Sequence, residues 1–94
     1  MDLGNNTFSG TLPLSFAEMT TIQVLTLDNN QLVGAIPSEL GLLTQLQNLE
    51  LHGNSFTGTM PAEVCQLRSA GSLSTLTADC RGDTFECDCC TRCL

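Results

Sequence analysis

Residues 22–43 read IQVLTLDNNQLVGAIPSELGLL, and the fold can be predicted from the pattern of this stretch. Residues 25–27 alternate apolar and polar side chains, which is typical of a strand with one buried face. Asn30 follows, and stacked copies of its amide could pair turn backbone groups that would otherwise be buried without partners. Gly34 marks a bend, and Pro37 opens a segment typical of a short helix or 3₁₀ turn. Such a unit cannot bury its apolar side without neighbours.

The same pattern recurs in three successive windows of equal length, 3–26, 27–50 and 51–74. Five columns are identical in all three windows: Leu3/Leu27/Leu51, Asn6/Asn30/Asn54, Gly10/Gly34/Gly58, Pro13/Pro37/Pro61 and Leu25/Leu49/Leu73. The next strand matches better when Leu76, rather than Leu73, takes the place of Leu49. We therefore expect three extra residues within 68–72 of the last coil, since terminal coils are commonly atypical.

The pattern Leu-x-x-Leu-x-Leu-x-x-Asn-x-Leu-x-Gly-x-Ile-Pro-x-x-Leu-Gly-x-Leu resembles the plant-type leucine-rich repeat, and residues 22–43 follow it almost without change. The resemblance covers residues 1 to about 79. It implies an α/β fold, a right-handed solenoid with a parallel β-sheet on the concave face and short helical or 3₁₀ turns on the convex face. An ordinary α/β fold with apolar periodicity is the alternative interpretation.

The composition of the 94 residues excludes several classes of protein. A formal net charge of −7 argues against binding to nucleic acid or to anionic lipid, because both partners need cations. With 41% hydrophobic residues the chain is too apolar to be disordered, and no apolar run is long enough to span a bilayer. The chain begins inside a repeat without a signal peptide, and we interpret it as an excised segment or a truncated gene product.

Six cysteines lie from residue 65 onward: Cys65, Cys80, Cys87, Cys89, Cys90 and Cys93. Their arrangement resembles the C-terminal caps of extracellular leucine-rich-repeat proteins, including algal ones. The resemblance predicts repeats over residues 1–79 and a disulfide-rich cap over residues 80–94, tied back through Cys65. The spacing within 87–93 also suits a zinc site, and redox catalysis is a further alternative. Disulfides are favoured over a metal site because an extracellular compartment is oxidising, so no metal is expected. The sequence does not determine which cysteines pair with one another.

Strand residues between the core leucines are expected on the concave face, where this family commonly binds partners. The predicted ligand-binding residues are Gln23, Thr26, Asp28, Gln47, Glu50, His52, Thr75 and Thr77. This strip is acidic and rich in hydroxyl groups, which suits a basic or polar partner; an ordinary solvated sheet face is the alternative. No aromatic residue lies there, so the usual anchors of tight interfaces are missing. Asn5, in the sequence Asn5-Asn6-Thr7, is a candidate glycosylation site.

The sequence does not predict an enzyme. No nucleophile motif occurs, and a shallow sheet offers no pocket in which a nucleophile, a base and an oxyanion site could converge. Neither a phosphate-binding glycine loop nor a calcium loop is present, so no cofactor is expected.

The resemblance implies a non-catalytic recognition module, the C-terminal part of a receptor-like extracellular or cell-surface protein whose partner is a protein, a peptide or a glycan. The alternatives are a secreted inhibitor similar to the polygalacturonase-inhibiting proteins, and a structural or adhesive surface protein. Because Leu3 and Phe8 have no coil stacked before them, we expect fraying or self-association through the first coil.

Overall fold

The computed structural model describes residues 1–82 and 84–94. The chain winds through successive coils, each with a strand on one side and, in the first three coils, a short helix on the other. The elements in chain order are β1 Ser9–Thr11, a 3₁₀ helix Leu14–Glu18, β2 Val24–Thr26, β3 Gln31–Gly34, a 3₁₀ helix Ser38–Leu42, β4 Asn48–Glu50, β5 Ser55–Phe56, β6 Gly58–Thr59, α1 Ala62–Ser69, β7 Thr75–Ala78, β8 Phe85–Glu86 and β9 Arg92–Cys93.

The concave face is a parallel sheet with the strand order β2-β4-β7-β9. Leu25 pairs with Leu49, and Leu49 pairs with Leu76 rather than with Leu73. The predicted longer step to the last repeat strand is therefore confirmed. Asp2 extends the sheet at the other edge through a single bridge to Thr26. A second parallel sheet, β1-β3-β5, runs along one flank of the solenoid.

A glycine column and a proline column set the turns between the strands and the helices. Gly34 has φ +85°, in the left-handed region that favours glycine, and the equivalent glycines of the neighbouring coils have φ +82° and +85°. Proline precedes each helix as predicted, at Pro13, Pro37 and Pro61. Only the third helix is a full α-helix, α1, since the coil that contains it holds the three extra residues.

The core is a column of aliphatic side chains that each coil contributes in the same register. Leu25, Leu49 and Leu76 are all fully buried, as are Leu27 and Leu51. Each coil buries these side chains mainly against its neighbours, because a single coil has no core of its own. No helix in the described part of the chain is long and apolar enough to cross a membrane.

The cysteine-rich tail folds as a short final coil against the solenoid. Strand β8 pairs with β6 and β9 pairs with β7, and Phe85 of β8 is buried at 2% exposure. Three disulfides hold this coil in place: Cys65–Cys89, Cys80–Cys93 and Cys87–Cys90. All four sulfur atoms within 87–93, whose spacing also suits a zinc site, are therefore bound in disulfides, and the tail covers the C-terminal end of the core.

Candidate functional site

The turns that follow the concave strands are held by the asparagine column. Asn54 donates from Nδ2 to the carbonyls of Leu27 at 2.9 Å and Leu51 at 3.1 Å, and its Oδ1 accepts the N–H of Leu32 at 3.1 Å. Asn30 makes the equivalent bonds one coil earlier and is only 8% exposed. Each asparagine joins two coils, so it places the ends of neighbouring concave strands relative to one another.

Asp79 follows the last repeat strand, at the position that His52 occupies one coil earlier, and its side chain caps the turn after β4. Its carboxylate accepts the N–H of Gly53 at 3.0 Å on Oδ1 and the N–H of Asn54 at 2.9 Å on Oδ2. Neither N–H donates to a backbone carbonyl within the described residues, so the Asp79 carboxylate pairs groups that would otherwise lack a protein partner. The sequence places Asp79 directly after the strand residue Ala78, but nothing in the repeat pattern indicates that its carboxylate caps a turn.

One cross-strand column runs along the centre of the concave sheet. The strand pairing puts the following residues side by side: Asp2, Thr26, Glu50, Thr77 and Arg92. Neighbouring members are about 4.8 Å apart, the spacing of paired strands. We call these five residues the central column; sequence reasoning missed Arg92, because the tail carries no repeat that would place it.

The two ends of the central column differ in charge. At the first coil, Thr26 donates its hydroxyl to Asp2 Oδ1 at 2.8 Å and Gly4 donates its N–H to the same oxygen. The Thr26 bond, and then the Gly4 bond, lower the pKa of Asp2, because both stabilise the ionised carboxylate. This contribution to stability is present above the pKa of the unfolded chain and is lost as pH falls through the lower folded value. Arg92 at the other end carries positive charge.

His52 links three coils beside the central column. Its Nδ1 lies 2.8 Å from Thr77 Oγ1, and its Nε2 lies 3.9 Å from Asp28 Oδ2. His52 and Asp28 are partly exposed, with side-chain exposures of 20% and 18%. Thr77, which the sequence placed among the ligand-binding residues, is only 6% exposed. Its hydroxyl therefore acts by orienting His52 rather than by presenting itself on the surface.

The other predicted residues differ in how far they are exposed and paired. Gln23 and Gln47 are exposed, and Thr75 is partly buried. Glu50 is also partly exposed, and its carboxylate makes no hydrogen bond or ion pair within residues 1–82 and 84–94. The structure thus brings the predicted residues onto one face and leaves Glu50, at the centre, with an unneutralised charge. Asn5, the candidate glycosylation site, is exposed on the turn after Asp2.

The first coil ends in an open apolar face. A cavity of about 180 Å³ lies there, lined by Phe8, Ser9, Pro13, Phe16, Leu27 and Leu32. Phe8 is 46% exposed, and Leu14, in the 3₁₀ helix of the same coil, is 57% exposed. Asn6 occupies the same position as Asn30 and donates to the Leu3 and Gly4 carbonyls at 3.0 Å. Its Oδ1 accepts no N–H within the described residues, whereas those of Asn30 and Asn54 each accept one from the preceding coil.

A family profile for the Leucine Rich Repeat matches residues 21–43 and 45–67. A chain in the structure of the Arabidopsis receptor kinase HAESA with the peptide hormone IDA and the co-receptor SERK1 is 35% identical over 72% of this chain, with a TM-score of 0.67. The plant peptide hormone receptor RGFR1 with RGF2 gives 33% identity over 93% of this chain and a TM-score of 0.73. PEPR1–AtPEP1 gives 37% identity over 82% and a TM-score of 0.72.

These similar structures are much longer than the present chain, which spans only 12%, 12% and 11% of the three chains compared. A search of curated proteins finds no match. The HAESA structure contains a receptor kinase with a peptide hormone, and RGFR1 is a plant peptide hormone receptor.

Proposed function

Because the chain belongs to the leucine-rich-repeat family, in the plant-type form, we propose that it is a non-catalytic recognition module that binds a peptide or protein partner on its concave sheet. The proposal rests chiefly on Glu50, whose partly exposed carboxylate has no partner at the centre of that sheet in the described structure. The similarity to HAESA, whose structure contains a peptide hormone, and to the peptide hormone receptor RGFR1 supports the proposal.

The charges of the concave face favour a partner with a basic group. Asp2 and Glu50 lie in the central column, and Asp28 lies beside it against His52. A cationic side chain of the partner placed above Glu50 would be attracted by all three carboxylates. Such long-range attraction mainly raises the rate of association. Since aromatic anchors are lacking on the face, the affinity of this chain alone should be moderate.

Extracellular or cell-surface location and a receptor-like role are part of the same proposal. Three disulfides in a chain of 94 residues suit an oxidising compartment. The exposed Asn5 sequon is compatible with secretion. A secreted inhibitor of a wall-degrading enzyme would use the same face, and would be distinguished by loss of the target enzyme's activity when the chain is added.

The proposal predicts that reversing the charge of Glu50 weakens binding. A displayed library of random short peptides is selected against the folded chain, and the affinity of the selected peptides is measured by calorimetry at physiological salt. Glu50→Lys should lower the affinity of those peptides about 10-fold, since it replaces attraction by repulsion at the centre of the sheet. The selected peptides should be enriched in Lys and Arg.

Glu39→Lys is the matched control, because Glu39 is exposed in the 3₁₀ helix Ser38–Leu42 on the convex side and the substitution changes net charge equally. An affinity that falls as much for Glu39→Lys as for Glu50→Lys would show that only net charge matters and would contradict a concave site. Failure to select any peptide would count against peptide recognition by this chain.

The open apolar face of the first coil supports a second proposal, association through that face. Phe8 lines the cavity there and is about half exposed, and Asn6 Oδ1 is available to accept a hydrogen bond. A partner that covers this face would bury apolar surface and pair the edge of the sheet. The C-terminal end carries the disulfide-bonded coil instead, so association should involve the first coil.

We therefore expect backbone amides of residues 2–8 to exchange with solvent faster than those of residues 48–51, and sedimentation to show reversible association that depends on concentration. Phe8→Ser should shift that association to higher concentration by about 10-fold, because it removes one large exposed apolar side chain. A monomer whose amides in residues 2–8 resist exchange as well as those around Leu49 would disprove both expectations.

A further inference from the structure

The three disulfides differ greatly in the length of chain that they close. Cys65–Cys89 joins residues 24 apart and Cys80–Cys93 joins residues 13 apart, whereas Cys87–Cys90 joins residues only 3 apart. A disulfide stabilises a fold mainly by restricting the unfolded chain, and this effect grows with loop length. On that basis, the chain without Cys87–Cys90 should have a folding equilibrium constant roughly 10-fold higher than the chain without Cys80–Cys93. The same constant should be roughly 20-fold higher than that of the chain without Cys65–Cys89.

The three bridges also differ in the secondary structure that surrounds them. Cys65 lies in α1, and Cys93 lies in β9, so regular secondary structure holds one end of each long bridge near its partner. Cys87 and Cys90 both lie in an irregular turn between β8 and β9, and all six cysteines are partly exposed, so the bridges differ in local structure and not in exposure. Within the described residues, no N–H of 87–90 donates a backbone hydrogen bond.

The tail stays attached without the short bridge. Cys89, inside the Cys87–Cys90 loop, is bonded to Cys65, and Arg68 donates from Nε to the Cys89 carbonyl at 3.1 Å. After the loop, Thr91 bonds Leu76 through both its N–H and its hydroxyl. Opening Cys87–Cys90 therefore frees a short turn while the final coil remains anchored on both sides.

We propose that Cys87–Cys90 is a thiol–disulfide exchange site, reduced reversibly by dithiols while the other two bridges hold the fold. A thiolate of the reductant attacks one sulfur of the bridge and forms a mixed disulfide. The other cysteine leaves as a thiolate and takes a proton from water. The second thiol of the reductant then attacks the mixed disulfide, releases the remaining cysteine, and the reductant departs as a cyclic disulfide. Two electrons pass to the protein.

Limited reduction of the folded chain tests this proposal. The protein is treated with graded dithiothreitol in native buffer, the thiols are blocked with N-ethylmaleimide, and the labelled positions are mapped by mass spectrometry. The first labelled species should carry two labels, at Cys87 and Cys90, with unchanged amide protection around Leu49. Glutathione disulfide should close this pair again. First labels at any of the other four cysteines, or six labels appearing together with loss of the fold, would overturn the proposal.

Paired variants give a second measurement. C87S/C90S should abolish the first two-label phase and leave peptide binding unchanged, whereas C80S/C93S should retain that phase. Urea unfolding should show a folding equilibrium constant roughly 10-fold higher for C87S/C90S than for C80S/C93S. Equal stabilities would contradict the proposed difference between the bridges. If either variant fails to fold, the mapping on the unmodified chain decides.

Discussion

Leu49→Ala should lower the free energy of unfolding by about 3–5 kcal/mol, the largest effect that we expect from any single substitution in this chain. Leu49 is fully buried and lies in β4, between Leu25 of β2 and Leu76 of β7. Truncation removes apolar contacts with both neighbouring coils at once. Because strand pairing on both sides of β4 holds those coils in place, the cavity cannot collapse fully, and its cost adds to the lost transfer free energy.

Equilibrium unfolding in urea, followed by circular dichroism with the disulfides intact, measures this change. Leu42→Ala is the matched control, since Leu42 is 61% exposed and the same atoms are removed. The control should change stability by about 0.5 kcal/mol or less. Comparable losses in the two variants would show that the leucine column does not form the continuous core described above.

Asn54→Ala should lower the free energy of unfolding by about 2–4 kcal/mol, because the lost amide leaves partly buried backbone groups without partners. These groups are the N–H of Leu32 and the carbonyl of Leu51; the Leu27 carbonyl loses one of two bonds and keeps the one from Asn30 Nδ2. Alanine has no atom that could replace the amide, and the turn lies between two coils where water has limited access. Hydrogen exchange should show increased opening at Leu32 in particular.

Asn6→Ala provides the comparison at the same position of the repeat. Asn6 is exposed, and its bonds to the Leu3 and Gly4 carbonyls can be replaced by water. We expect a loss of about 0.5 kcal/mol, within the range of ordinary surface substitutions. If Asn6→Ala and Asn54→Ala lower the free energy of unfolding equally, the asparagine stabilises the fold through its own turn and not by joining two coils.

Much of the fold could be predicted because the repeat carries local information many times over. The strand pairing of Leu25, Leu49 and Leu76, including the longer step to Leu76, follows from matching apolar spacing in successive windows. The short helices after Pro37 and Pro61 follow from residue types within a few positions. Each of these features depends on residues of the same coil or of the next coil along the chain, so the sequence pattern alone is enough to predict it.

The candidate site was predicted less completely. Sequence reasoning brought Glu50 and His52 to one face, and the structure places both there. It did not find Arg92 in the central column, the burial of Thr77, or the capping role of Asp79. All three depend on how the final strand and the tail return to the solenoid, and that segment repeats nothing earlier in the chain.

That this protein is a stack of leucine-rich coils follows from its amino-acid sequence alone, because the regular repeat leaves one way to bury its leucines and pair its turn groups. The pairing of the six cysteines, and the identity of the tail residues that reach the concave sheet, became known only from the folded chain. Six thiols close together in sequence allow many pairings that spacing cannot rank, and the choice among them follows from packing against the third and fourth coils.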